Sequence, residues 1–148
     1  MVKDTKKDFI FTIGRRKESV ARLRLYTNSN PDLVIGEEKL KKGDVVVNGK
    51  RALDYFKGIV AKVRFEEPLK ITNNLGKYIL SVKVDGGGQT GQLEAFIHAL
   101  SRALASLDPK NRQILKKQGL LTRDARVRER RKVGMGGKAR RKRQSPKR

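Results

Sequence analysis

"VDGGGQTGQLEAFIHALSRALASL", residues 84–107, contains the change of hydrophobic period on which the fold turns. Immediately before it, Lys77–Asp85 alternates, with Tyr78, Leu80, Val82 and Val84 on one face and Ile79, Ser81 and Lys83 on the other, the pattern of a strand with one buried side. After the glycines, Leu93, Phe96, Leu100, Ala103, Leu104 and Leu107 recur at three- and four-residue steps, which predicts a helix from Gly91 of about four turns with one apolar stripe. Working outward, Arg22–Tyr26 alternates as a second strand, and Asp44–Gly49 is a β-branched run ending in the turn signal Asn48-Gly49. Asp108-Pro109 reads as an N-cap with proline in the first turn, opening a short helix through Lys117 that stops at Gly119. Residues 27–43 and 59–74 have no clear period. Within them "NSNPD" reads as a loop and Glu66-Glu67 before Pro68 as a solvated turn. The expected body is one sheet covered by the stripe of one long helix.

Charge sets the class of partner. The 148 residues hold 37 Lys/Arg and 15 Asp/Glu, a net charge of +22, whose self-repulsion opposes a compact monomer unless a polyanion neutralises it. Half of that charge lies in residues 123–148, with 13 Lys/Arg, 2 acids and no aromatic ring. Such a segment buries too little apolar surface to offset the entropy of ordering it, so it is expected to be extended until something anionic holds it. The division is therefore a globular α/β domain over 1–122, with 1–13 as an N-terminal extension and first strand, and a basic tail over 123–148. Without cysteine there is no disulfide framework or thiol chemistry. The start, "MVKDTKKDFIFTIG", has only a five-residue apolar run interrupted by Thr12 and reads as neither a signal peptide nor a membrane span, which suits a cytosolic chain.

The glycine loop has two readings. Gly86, Gly88 and Gly91 fit the spacing of a dinucleotide-binding turn between a strand and a helix. That motif also needs a second strand ending in a carboxylate about twenty residues on. Asp108 has the separation, but it caps a helix. A Walker loop is excluded because Gln92 follows the last glycine where lysine belongs. The plainer reading is a tight turn needing positive φ, whose backbone N–H groups at a helix N-terminus can approach a phosphate, including one of a nucleic acid. His98, the only histidine, lies about 140° from Leu93 round the helix and reads as solvated or RNA-facing rather than catalytic.

Several longer motifs resemble one family. "GGGQTGQLEAFIHALSRAL" (86–104), "GRRKESVARLRLY" (14–26), "VVVNGK", "DYF", "PLKIT", "GLLTRDARVRERRKVG" (119–134), "KAR" and the terminal Lys-Arg are similar, in order, to the small ribosomal subunit protein nine family of bacterial type. The resemblance implies an α/β (α+β) two-layer sandwich like the second domain of ribosomal protein five. It carries a left-handed βαβ crossover, where general rules favour the right-handed form, and an extended basic C-terminal tail. It also implies a non-enzymatic constituent of the small subunit, bound to ribosomal RNA in the head, cytoplasmic, with no cofactor, metal, membrane or small-molecule substrate. Neighbouring head proteins and the peptidyl-site transfer RNA are the other implied partners. Carried onto this chain, the RNA-binding residues are Arg15, Arg16 and Lys17; Gly86, Gly87, Gly88, Gln89, Thr90 and Gln92; Arg123, Arg126, Arg128, Arg130, Arg131 and Lys132; and Lys138, Arg140, Arg141, Lys142 and Arg143. Lys147 and Arg148 fall at the position that contacts transfer RNA.

The chain departs from the family pattern at Ser145, where an aromatic residue is usual, in its longer connection from Tyr26 to Val45, and in its lysine-rich N-terminus. Asp124 and Glu129 stand among arginines as if to orient them, and a helix there would bring Asp124 and Arg128 together. Charge alone also admits an RNA chaperone or DNA-compacting protein, and the glycine loop alone an enzyme. Co-sedimentation with small subunits through high salt separates these from a ribosomal role.

Overall fold

The computed structural model describes residues 9–27, 34–35, 38–131 and 133. Strands β1 (Phe9–Arg16) and β2 (Ser19–Tyr26) form a hairpin in which Phe9 faces Tyr26 and Arg16 faces Ser19, with Lys17 at φ 50° in the turn. Two-residue strands β3 (Val34–Ile35) and β4 (Glu38–Lys39) pair separately, inside the 27–43 stretch that has no clear period in the sequence. β5 (Val45–Val47) and β6 (Lys50–Arg51) close on Asn48 and Gly49, both at positive φ as the Asn-Gly signal requires. Helices α1 (Ala52–Tyr55) and α2 (Ile59–Ile71) lead to β7 (Ile79–Asp85), followed by α3 (Gln89–Leu107) and α4 (Pro109–Lys117).

The main sheet has the order β1-β2-β7-β5-β6 and is antiparallel except for β5 against β7. Those parallel neighbours are joined by the α1–α2 crossover, because a parallel pair needs a long connection. Alternation sends Ala21, Leu23 and Leu25 of β2 and Leu80, Val82 and Val84 of β7 into one core with Phe96, Leu100 and Leu104 of α3. Each large side chain so buried contributes about 1.5–3 kcal/mol. Phe56 and Phe65 join it from the crossover, their rings 6.3 and 5.9 Å from Phe96. On the opposite face Leu40, Val46 and Ile79 make a smaller cluster with Tyr26.

α3 can lie close on β1 because residue 14 has no side chain: a Cβ there would run into the carbonyl oxygen of Ala95. Beside it Thr12 Oγ1 donates to Ala99 O at 2.8 Å. At the junction of α3 and α4, Asp108 accepts from Lys110 N at 2.8 Å and Pro109 takes the first helical position, as the sequence predicts.

Three expectations are corrected here. Glu66-Glu67-Pro68 is the middle of α2, not a solvated turn. Pro68 is tolerated because its ring is buried against the core and Glu66 bridges Lys70 at 2.9 Å and Lys62 at 3.9 Å along the helix. The period was hidden because Ile59, Val60 and Val63 are exposed, so apolar residues do not mark one face. The long helix also begins two residues earlier than Gly91, and the first strand runs three residues beyond 13.

Candidate nucleic-acid interface

Three segments that the sequence analysis singled out separately meet at one end of the sheet. The register places the β1–β2 turn beside the C-terminal end of β7, with Val20 opposite Asp85. The glycine loop therefore packs on the hairpin tip. Ser19 Oγ donates to Gly86 O at 3.2 Å, and the buried Ser19 side chain lies where Cβ atoms at Gly87 and Gly91 would fall. Gly86 and Gly87 have φ of 72° and 61°, the positive values expected of the turn. Gly88 does not: its φ is −116°, and nothing lies within 4 Å of its missing Cβ.

Gly88 is the N-cap of α3 and has no side chain to offer the helix. The first intrahelical bond is Gln92 N to Gly88 O at 2.9 Å, so the N–H groups of Gln89, Thr90 and Gly91 have no partner within the helix. Residues 86–90 are all exposed. They form an open set of donors at the positive end of a 19-residue helix, which favours an anionic oxygen. Gln92 is engaged in holding the loop: its Nε2 donates to Gly86 O at 3.0 Å, and its Oε1 accepts from the Tyr55 hydroxyl at 2.9 Å.

The third segment arrives from the other end of the chain. Leu120 and Leu121 pack on the core after α4. The backbone then runs past the hairpin tip without regular structure through Arg131. Arg16 fastens it there. Its Nε donates to Glu94 Oε2 of α3 at 2.7 Å, its second nitrogen meets Asp124 Oδ2 at 3.0 Å, and its third donates to the Arg126 carbonyl at 2.6 Å. With only 12% of its side chain exposed, Arg16 holds the root of the tail against the body and does not project outward. Arg64 adds a longer contact to Glu94 at 3.7 Å.

Asp124 accepts from Arg126 through both backbone N (2.9 Å) and guanidinium (2.6 Å), and these hydrogen bonds hold its carboxyl well below the usual carboxylate range. This corrects the helical expectation for Asp124 and Arg128: the segment is not helical, and the aspartate instead closes a two-residue turn with Arg126 and reaches Arg16. Glu129 has no ion pair among the described residues. Arg15, Lys17, Arg123, Arg126, Arg128, Arg130 and Arg131 are exposed around the glycine loop and the tail root. Lys132, Lys138, Arg140, Arg141, Lys142, Arg143, Lys147 and Arg148 lie outside the described residues.

His98 differs from its expected solvated position. The returning chain at Leu121–Arg123 comes beside it, leaving the side chain half-buried with Nδ1 inside and without a hydrogen-bond partner. Burial lowers its pKa, counteracted by a hydrogen bond that the imidazole donates to the Leu121 backbone carbonyl, with further lowering from Arg102 and Arg123. The segment that covers it comes from beyond α4, which its position on the helix does not reveal. Glu94 gives no signal in the sequence beyond being the lone acid of α3.

Among the described residues no His/Cys/Asp/Glu cluster has metal-binding geometry, and no helix is long and apolar enough to cross a membrane. The ribosomal protein S9/S16 family matches residues 14–148. Small ribosomal subunit protein uS9 of Maridesulfovibrio salexigens is 46% identical over 131 residues, covering 88% of this chain and 91% of that protein. The uS9 proteins of Anaeromyxobacter sp. strain K and Anaeromyxobacter dehalogenans are each 42% identical over 126 residues, covering 85% of this chain and 87% of theirs. With the glycine loop, the hairpin tip and the tail root all inside the matched span, this chain belongs to the ribosomal protein S9/S16 family, a structural and non-enzymatic family of the small ribosomal subunit.

Proposed function

We propose that the chain is a structural constituent of the cytoplasmic small ribosomal subunit, whose body binds ribosomal RNA in the subunit head and whose tail reaches the peptidyl-site transfer RNA. The observation that carries this reading is the convergence on Arg16. One side chain joins the hairpin tip, α3 and residues 124–126, so the basic tail departs from the same end of the body that presents the glycine loop and the cations Arg15 and Lys17. RNA phosphates engage those cations and the α3 N-terminus. The tail continues among phosphates, its long Lys and Arg side chains reaching outward from a backbone kept thin by Gly, Ala and Ser. The β5–α2–β7 crossover takes the left-handed form of the family, neighbouring head proteins share the RNA, and Lys147 and Arg148 make the terminal contact with transfer RNA.

The test deletes the last two residues, Lys147 and Arg148, and measures both subunit assembly and peptidyl-site transfer RNA dissociation. Losing an exposed charge-assisted contact of about 1–2 kcal/mol predicts roughly five- to thirtyfold weaker transfer RNA binding with assembly intact. Unchanged dissociation rejects the terminal contact, and failed assembly shows that the tail end serves to build the subunit.

A further inference from the structure

The sheet face turned away from the helices presents a basic and aromatic surface separate from the glycine loop. Across it the register sets Phe11 opposite Arg24 and Arg24 opposite Ser81, and in the next row Ile13 opposite Arg22 and Arg22 opposite Lys83. Phe11 is 50% exposed, unusual for a phenylalanine in a paired strand of a soluble body. Its immediate cross-strand neighbour, Arg24, lies over the Phe9 ring at 5.3 Å and has no acidic partner among the described residues. Lys83 is exposed and likewise unpaired among them, whereas Arg22 meets Asp85 at 3.3 Å. These side chains line an open groove of about 670 Å³ whose far wall is the Asn48-Gly49 turn.

We infer that this groove is a second RNA-binding surface, which takes an unpaired nucleotide with its base on Phe11 and its flanking phosphates on Arg24 and Lys83. The inference rests on the RNA-binding role proposed above and adds a site to it. Adjacent strands lie about 4.8 Å apart, and diagonal neighbours such as Arg24 and Lys83 about 7–8 Å, so one aromatic ring and two cations fall within reach of a single extended nucleotide segment. A flat sheet bearing an exposed ring beside cations suits stacked, unpaired bases and cannot enter the deep groove of an RNA duplex. Charge selects the occupant. Among the described residues of β1, β2 and β7, Arg15, Arg22, Arg24 and Lys83 outnumber the one acid, Asp85, on this face.

The experiment uses the full chain and a transcript of the small-subunit ribosomal RNA head domain, with binding measured across a salt series. Arg24→Gln with Lys83→Gln is expected to reduce the slope of log K against log salt by about 1.4–1.8, two phosphate contacts' worth. Phe11→Ala is expected to weaken binding roughly five- to 150-fold, and Phe11→Tyr to restore it. The double variant changes only exposed polar ends and carries the test if Phe11→Ala fails to fold. Tight, steeply salt-dependent binding by the parent chain, matched by the double variant and by any folded Phe11→Ala protein, overturns the groove and leaves the family role standing. Failure of the parent chain to bind the transcript overturns both.

Discussion

Gly88→Asp separates what the glycine loop does for the fold from what it does for RNA. At Gly87 the same change would confound the two, because φ is 61° and a Cβ would strike the Ser19 hydroxyl, so Gly87→Glu strains the turn before any phosphate is present. Residue 88 has an ordinary extended φ of −116° and open space around its Cβ, and it occupies the N-cap of α3. An aspartate there can accept from Thr90 or Gly91 N–H. Replacing a glycine cap by aspartate is worth only a few tenths of a kcal/mol, so the melting temperature should rise by about 1–2 °C. Binding should move the other way. A carboxylate about 5 Å from a phosphate charge costs roughly 1 kcal/mol in fully aqueous surroundings and about 3 kcal/mol at the effective dielectric of a protein surface. Affinity for the head-domain transcript should therefore fall roughly four- to 200-fold. Gly88→Asn supplies the same cap without the charge, and the difference between the two variants isolates the electrostatic part. Equal RNA affinity for Asp and Asn variants would refute a phosphate at this helix end, and a melting temperature lowered by several degrees would refute the open space at residue 88.

Arg16→Met should release the tail root: Glu94 and Asp124 lose their shared partner, stability falls by about 1–3 kcal/mol, and hydrogen exchange accelerates at residues 123–128 while the core of α3 stays protected, as read by peptide-resolved mass spectrometry. His98 should make stability pH-dependent. Its pKa is lowered in the folded state, so the unfolded chain binds more protons as pH falls through the ordinary value near 6.5; the contribution is complete above that value and is lost below it. Melting temperatures at pH 7.5 and 5.5 should differ less in a folded His98→Gln variant than in the parent chain.

Local patterns identified the β5–β6 turn, the alternation of β2 over Arg22–Tyr26, the strand before the glycines, the stripe of α3 and the cap at Asp108, because each depends on neighbours within one or two turns of the chain. Composition likewise identified the anionic partner class, since charge is a sum that needs no geometry. α2 escaped because its exposed Ile59, Val60 and Val63 blur the period, and Pro68 is accommodated by a core that its own segment does not reveal. Tertiary structure alone decided three further points. Residues 16, 94 and 124, separated by as many as 108 positions, share one guanidinium. The tail's return half-buries a histidine that helical angle places toward solvent. Phe11 is exposed although it lies in the apolar run 9–13, because a strand has two faces and its sequence does not say which of them the helices will cover.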